Sequence, residues 1–163
     1  MRILGIDPGL GRLGWGVIEE QGSTIKPVAF DCIETLGNIS EEKRLVIIYE
    51  KLHQVLKQYQ PEVVAVEELF FSRNVTTAFM VGQARGVVLL IAAQNNLKVI
   101  THSPSQVKLA VAGYGKADKK QIGQMVKIIL KLDKLPRLDD TTDALAIALT
   151  QAFTGKLRSK LGK

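Results

Sequence analysis

Arg2-Ile3-Leu4-Gly5-Ile6-Asp7-Pro8-Gly9 decides the fold. Ile3, Leu4 and Ile6 make a buried strand that delivers the carboxylate of Asp7 to its C-terminal end, where Pro8-Gly9-Leu10-Gly11 turns sharply. Ligand sites of α/β sheets favour that end of a strand. Leu13 to Ile18 and Ile25 to Ile33 follow as strands, separated by Gln21-Gly22-Ser23, where Gly22 supplies a hairpin turn. The first three strands are therefore expected to be antiparallel neighbours.

Working outward, Ser40 with Glu41 and Glu42 marks a helix start. Leu45, Ile48, Leu52, Val55, Leu56 and Tyr59 then recur at helical spacing until Pro61. Val63 to Val66 is apolar on both faces, the pattern of a central strand, and Glu67 ends it. A long helix is expected from near Thr76 to Gln94, then a short strand over Lys98-Val99-Ile100. Ser103-Pro104-Ser105-Gln106 combines an N-cap, proline at the first helical position and a capping-box glutamine. Gly113-Tyr114-Gly115 interrupts, and Asp118 with Gln121 repeats the capping logic before Ile122, Met125, Val126 and Ile129. A last helix begins near Asp139 or Asp140 and runs to about Phe153. The pattern predicts an α/β fold, a mixed five-stranded sheet (three leading antiparallel strands, then parallel) flanked by helices. Residues 1–154 read as one domain, and 155–163 as a basic, glycine-punctuated tail that is a candidate for disorder.

The chain has 163 residues, 46% hydrophobic and 23% charged, ordinary values for a folded domain. Its single cysteine, Cys32, excludes an intrachain disulfide and a cysteine zinc cluster, and its apolar surroundings predict a buried, unreactive thiol. No stretch is read as approaching the uncharged length of a bilayer span, and Asp7-Pro8-Gly9 ends the N-terminal apolar run too early for a signal peptide. The chain is read as cytoplasmic. Net charge is +6, unevenly spread. Residues 1–97 carry nine Lys/Arg against eleven Asp/Glu, whereas 98–134 carry eight lysines against Asp118 and Asp133. A basic block beside an acidic cluster suits a nuclease, with lysines for phosphates and carboxylates for metal. A solvated lysine face is the alternative.

Asp7 alone could be a turn residue. Glu67, however, also terminates an apolar strand, and two such strand ends side by side need a cation or a proton between them. Strand alternation sends Glu67 and Glu68 to opposite faces, without choosing between them. Asp139-Asp140-Thr141-Thr142-Asp143 opens a helix whose body, Ala144 to Leu149, is apolar all round. Asp140 and Asp143 share a face, as do Asp139 and Asp143, and three acids exceed what capping needs. An oxygen-only set suits Mg²⁺, with Mn²⁺ as substitute, rather than zinc. His53 lies mid-helix and His102 stands alone, so no histidine pattern competes. Two such ions could polarise a phosphodiester, lower the pKa of an attacking water and neutralise the leaving oxyanion.

Five motifs in order, Gly5-Ile6-Asp7-Pro8-Gly9, Val66-Glu67-Glu68-Leu69-Phe70, Gly82-Gln83-Ala84-Arg85-Gly86, Pro104-Ser105-Gln106-Val107-Lys108 and Asp140-Thr141-Thr142-Asp143-Ala144-Leu145-Ala146, closely resemble the RuvC family of crossover-junction (Holliday junction) endodeoxyribonucleases, within the ribonuclease-H-like superfamily. The resemblance spans nearly the whole chain. It implies a homodimer that binds a four-way DNA junction and nicks two strands of like polarity symmetrically, in homologous recombination and repair. It also implies Mg²⁺ dependence and a branch-migration partner complex of RuvA and RuvB. By position it assigns metal binding to Asp7, Glu67, Asp140 and Asp143, and thereby selects Glu67 over Glu68 and Asp140 over Asp139. Lys108 and Lys119 match lysines tied to catalysis and DNA binding, and Phe70 matches an aromatic that stacks on a base near the crossover. Arg73, Lys116 and Lys120 are further candidate DNA contacts. Gly82 and Gly86 would permit close approach by another helix, within the fold or across a dimer.

Two other classes fit parts of the pattern. An actin/sugar-kinase-type phosphotransferase also ends its first strand in Asp before a glycine turn, but needs two such domains around its cleft. A non-catalytic junction-binding protein would make the acids structural. A neighbouring resolvase-like family shares the Asp-Pro/Gly turn; the basic 98–134 block and the Phe70 loop argue against it.

Overall fold

The apolar runs of the first 34 residues form three strands, β1 (Arg2–Asp7), β2 (Arg12–Gln21) and β3 (Thr24–Glu34), in a computed structural model that describes residues 1–68 and 75–160, with side chains to 155. Gly22, at φ 60°, makes the β2–β3 turn in the left-handed region that favours glycine. The chain continues through α1 (Glu41–Tyr59), β4 (Val63–Glu67), α2 (Val75–Gln94), β5 (Lys98–His102), α3 (Pro104–Ala112), α4 (Lys119–Ile129) and α5 (Asp139–Lys160). The sheet order is β3-β2-β1-β4-β5. β1, β2 and β3 pair antiparallel in sequence, while β4 pairs parallel with β1 and β5 parallel with β4. The mixed five-stranded sheet expected from the sequence is the one observed.

Ile3 to Ile6 of β1 and Val63 to Val66 of β4 are apolar because these strands are central and covered on both sides. Leu4, Ile6, Val64 and Val66 face α1 and α2, packing on Ile48, Leu52, Val88 and Ile91. Ile3, Val63 and Ala65 face α3, α4 and α5, packing on Val107, Ile122, Val126 and Leu145. Truncating any of these large side chains to alanine costs about 2–5 kcal/mol.

The helix starts follow local chemistry. Ser103 Oγ accepts from Gln106 N–H while Gln106 Oε1 accepts from Ser103 N–H, and Asp118 with Gln121 forms the same reciprocal pair. Ser40 departs from expectation. It has extended N-cap geometry, but its hydroxyl donates to the Glu42 carboxylate and makes no cap hydrogen bond. The charge-assisted bond to the carboxylate is stronger than the cap bond that is missing, in which the hydroxyl oxygen would accept from a backbone N–H.

Four further expectations are corrected. α5 runs on to Lys160 rather than ending near Phe153; residues 161–163 of the expected tail lie outside the described residues. Cys32 is half-buried, because β3 is an edge strand, although burial pushes its thiol up to about 11 and keeps it protonated. His102 is not solitary: it is buried and shares a 3.1 Å hydrogen bond with Gln151 Oε1. Finally, α2 is 20 residues long with a mean hydropathy of 1.6, enough by length and composition alone to cross a membrane. Its outward side carries exposed Val75, Phe79 and Leu90 as well as Gly86. A Cβ built on Gly86 would meet nothing within 4 Å, so no other helix among the described residues approaches it.

Candidate active site

Strand pairing brings the first two acids together. Ile6 lies opposite Val66 in the parallel β1–β4 ladder, so the next residue in each strand, Asp7 and Glu67, ends its strand at the same edge of the sheet. Both belong to the face that α5 covers, the face of Gly5 and Ala65. On the other side of β4, the ladder with β5 carries one residue further, with Glu68 N–H donating to the His102 carbonyl at 2.9 Å. Glu68 itself is exposed, whereas Glu67 lines the cleft.

Glycines bring in the third element. Gly5 pairs with Gly16 and Asp7 with Gly14 across β1 and β2, giving a floor without side chains on that face. A Cβ at Gly5 would lie 2.1 Å from Ala144 O, and one at Gly14 would lie 1.9 Å from Asp140 O. α5 can therefore rest directly on the sheet backbone, and its first turn hangs over the strand ends. Asp140 is half-buried above β2, and Asp143 reaches the cleft beside Asp7.

The loop after Asp7 is braced from outside the site. Thr35 N–H donates to Gly11 O at 3.0 Å and its hydroxyl to Leu10 O at 2.5 Å, while Arg44 Nε of α1 donates to the Thr35 hydroxyl at 2.9 Å.

A cleft of about 320 Å³ results, lined by Asp7, Glu67, Asp143, Lys108 and Lys119, with Pro104, Val107, Ile122 and Ile147 as apolar wall. Burial, then the charges of Asp143, Glu67 and Asp140, push Asp7 from 3.8 up to about 8. Burial and Asp143 also raise Glu67. Lys119 Nζ donates to Asp143 Oδ2 at 3.1 Å, which holds the ammonium firmly charged. Asp143 is still raised, because burial outweighs that ion pair. On the other side of the same helical turn, Arg12 Nε lies 3.3 Å from Asp140 Oδ2.

As they stand, no three His, Cys, Asp or Glu side chains among the described residues converge closely enough to cage an ion. The donor set nevertheless fits a hard divalent cation. It is oxygen only, and its carboxylates raise one another's pKa, so the ionised cluster needs compensating positive charge. Mg²⁺ or Mn²⁺ matches those donors.

Of the candidate residues, the structure gathers Asp7, Glu67, Asp143, Lys108 and Lys119 in one cleft, with Asp140 at its margin and within electrostatic range of Asp7. Asp139 is exposed at the start of α5. Lys116 is exposed outside the cleft. Lys120 lines a larger, mainly apolar hollow of about 410 Å³ with Tyr114, Ala117 and Met125. That hollow has no acid in its wall, so the smaller cleft is the chemically competent one. Phe70 and Arg73 lie outside the described residues. Arg12, Thr35 and Arg44 were not singled out by sequence reasoning; an arginine just past the Asp7 turn was the one available signal.

The family model for the crossover junction endodeoxyribonuclease RuvC matches residues 3–151. The chain is 52% identical over 99% of its length to the crossover junction endodeoxyribonuclease RuvC of Desulfitobacterium hafniense, covering 98% of that protein. It is 48% identical to that of Thermomicrobium roseum, over 91% of each chain. Among solved structures, T. thermophilus RuvC in complex with Holliday junction substrate superposes with a TM-score of 0.92 at 39% identity, over 96% of each chain.

Proposed function

The chain belongs to the RuvC family of crossover junction endodeoxyribonucleases, and on that premise we propose how its residues divide the work. The protein is a metal-dependent endonuclease that resolves four-way (Holliday) DNA junctions in recombination and repair. Asp7, Glu67, Asp140 and Asp143 hold Mg²⁺, two ions per site, with Mn²⁺ able to substitute. The observation that carries this reading is the convergence of Asp7, Glu67 and Asp143 with Lys108 and Lys119 in one partly apolar cleft.

When bound, the metal supplies Lewis acidity to the scissile phosphodiester, an activated water and charge neutralisation of the leaving oxygen. The side chains account for the rest. Lys119, kept protonated by Asp143, sets a fixed positive charge at the mouth of the site, where charge builds on the phosphate during displacement. Lys108 presents a second cation from α3. Val107, Ile122 and Ile147 lower the local dielectric, which strengthens each of these interactions. The acids must be ionised to act as ligands, so metal binding releases the proton that Asp7 otherwise retains up to about pH 8.

Lys116 and Lys120, outside the cleft, contact the DNA backbone, as does Arg73, while Phe70 stacks on a base at the crossover. Symmetric nicking of two strands calls for two sites, hence a homodimer. Val75, Phe79, Gly86 and Leu90 share one stripe along α2, and an exposed apolar stripe with a glycine at its centre supports pairing of that helix with its copy. This reading also gives α2's high hydropathy a protein partner rather than a bilayer. The protein works in the cytoplasm with a RuvA–RuvB branch-migration complex.

The test incubates the purified protein with labelled four-way junctions and matched linear duplex, in Mg²⁺ and in EDTA. Paired symmetric nicks confined to junctions with Mg²⁺ are expected. Binding without cuts in any divalent ion would favour a non-catalytic junction binder, and equal cutting of linear duplex would demote the protein to a general nuclease.

A further inference from the structure

The N-terminal end of α5 carries two acids, Asp140 and Asp143, that are each clamped by a cation from a different element. Lys119 of α4 holds Asp143 inside the cleft, and Arg12 of β2 holds Asp140 at its margin. Both clamps engage a carboxylate of the candidate ligand set. Arg12 follows the Gly9–Gly11 turn directly and is half-exposed, whereas the backbone at Asp140 is held by α5 packing on Gly14. Glu34, opposite Arg12 in the β2–β3 register, is engaged by Arg137 at 3.3 Å, which leaves Asp140 as the partner of Arg12 among the ion pairs formed.

We propose that Arg12 is a positioning residue that couples metal loading to DNA binding: its guanidinium holds the Asp140 carboxylate until a junction phosphate draws it away. The proposal rests on the assignment of Asp140 as a metal ligand. A cation entering near Asp140 meets the guanidinium charge and must break the ion pair, so metal binds weakly to the free protein. A DNA phosphate offers the guanidinium an alternative bidentate anion and releases Asp140. Metal and junction then strengthen each other's binding by the same factor, as linkage requires. Tight metal loading is thereby confined to protein already seated on DNA.

The test is calorimetric titration of the full-length protein with Mn²⁺ in the absence of DNA, for the wild type, Arg12→Gln, Arg12→Lys and Asp140→Asn. Arg12→Gln should bind Mn²⁺ roughly three- to tenfold more tightly, a range set by a partly exposed ion pair plus the repulsion removed with it. Arg12→Lys keeps the charge and should bind close to wild type, which a merely structural role for the arginine would not predict. Junction binding measured in EDTA and in Ca²⁺, chosen to slow cutting, should show the metal-induced gain in affinity shrink in Arg12→Gln. If Asp140→Asn weakens Mn²⁺ binding while Arg12→Gln binds as the wild type does, the Arg12 proposal is overturned and the ligand assignment stands. If Asp140→Asn leaves Mn²⁺ binding unchanged even when combined with Arg12→Gln, which frees the carboxylate, Asp140 is no ligand and both fail.

Discussion

Replacing Asp7 by asparagine should stabilise the metal-free protein while abolishing cleavage. An acid whose folded pKa lies above its unfolded value binds its proton more tightly when folded. Below about pH 4 both states are protonated and Asp7 has no effect on stability. From there to about pH 8 the unfolded chain has lost the proton that the folded one keeps, so stability falls with rising pH and is lowest above that window. The shift from 3.8 to about 8, at ~1.4 kcal/mol per unit, sets a ceiling of about 6 kcal/mol on the destabilisation. Relaxation of the half-buried neighbours and the high effective dielectric of an open cleft leave a fraction of that, about 1–2 kcal/mol. In a domain of this size it corresponds to a Tm about 3–6 °C higher for Asp7→Asn at pH 8 in EDTA. Thermal unfolding from pH 4.5 to 8.5, followed by circular dichroism in EDTA, reads it directly. The gain should vanish toward pH 4.5, and added Mg²⁺ should stabilise the wild type far more than the variant. A pH-independent difference, or a variant less stable than wild type at pH 8, would refute the claim that Asp7 sits in a mutually repelling buried cluster.

Gly5→Ala should cost about 3 kcal/mol or more and depress cleavage, because the new methyl meets the Ala144 carbonyl and pushes α5 off the sheet; a Tm within a degree of wild type would disprove that contact. Lys119→Ala should slow single-turnover cleavage at saturating protein more than it weakens junction binding, and equal rates would remove the lysine from the site chemistry. Leu90→Asp, on the outward stripe of α2, should shift the protein toward monomer in sedimentation while its circular dichroism stays that of a folded chain, since that side chain is exposed in the single chain; an unchanged dimer would move the interface elsewhere.

Much of this was legible because it is local. The Ser103/Gln106 and Asp118/Gln121 boxes close within one helical turn, so four residues carry all the information, and both form as read. The strand assignments rest on apolar continuity or alternation, and Gly22 marks its turn by backbone conformation alone. Where a local rule meets a local competitor it fails, as at Ser40, whose hydroxyl prefers the carboxylate of Glu42. Cys32 was misjudged because its apolar neighbours could not show that β3 would be the edge strand.

The sequence by itself determined the element order, the mixed sheet, the acids available for chemistry and the family to which they belong. Tertiary structure decided which of them meet. Glu67 rather than Glu68 lines the cleft because α5 settled on one face of the sheet, and it settled there because Gly5, Gly14 and Gly16 left the backbone bare. The Arg12–Asp140 pair and the elevation of Asp7 to about 8 arise in the same way, from packing that unites residues remote along the chain. Charge interactions and burial depend on distance in space, and periodicity along a chain fixes only which face a residue occupies, not what that face will meet.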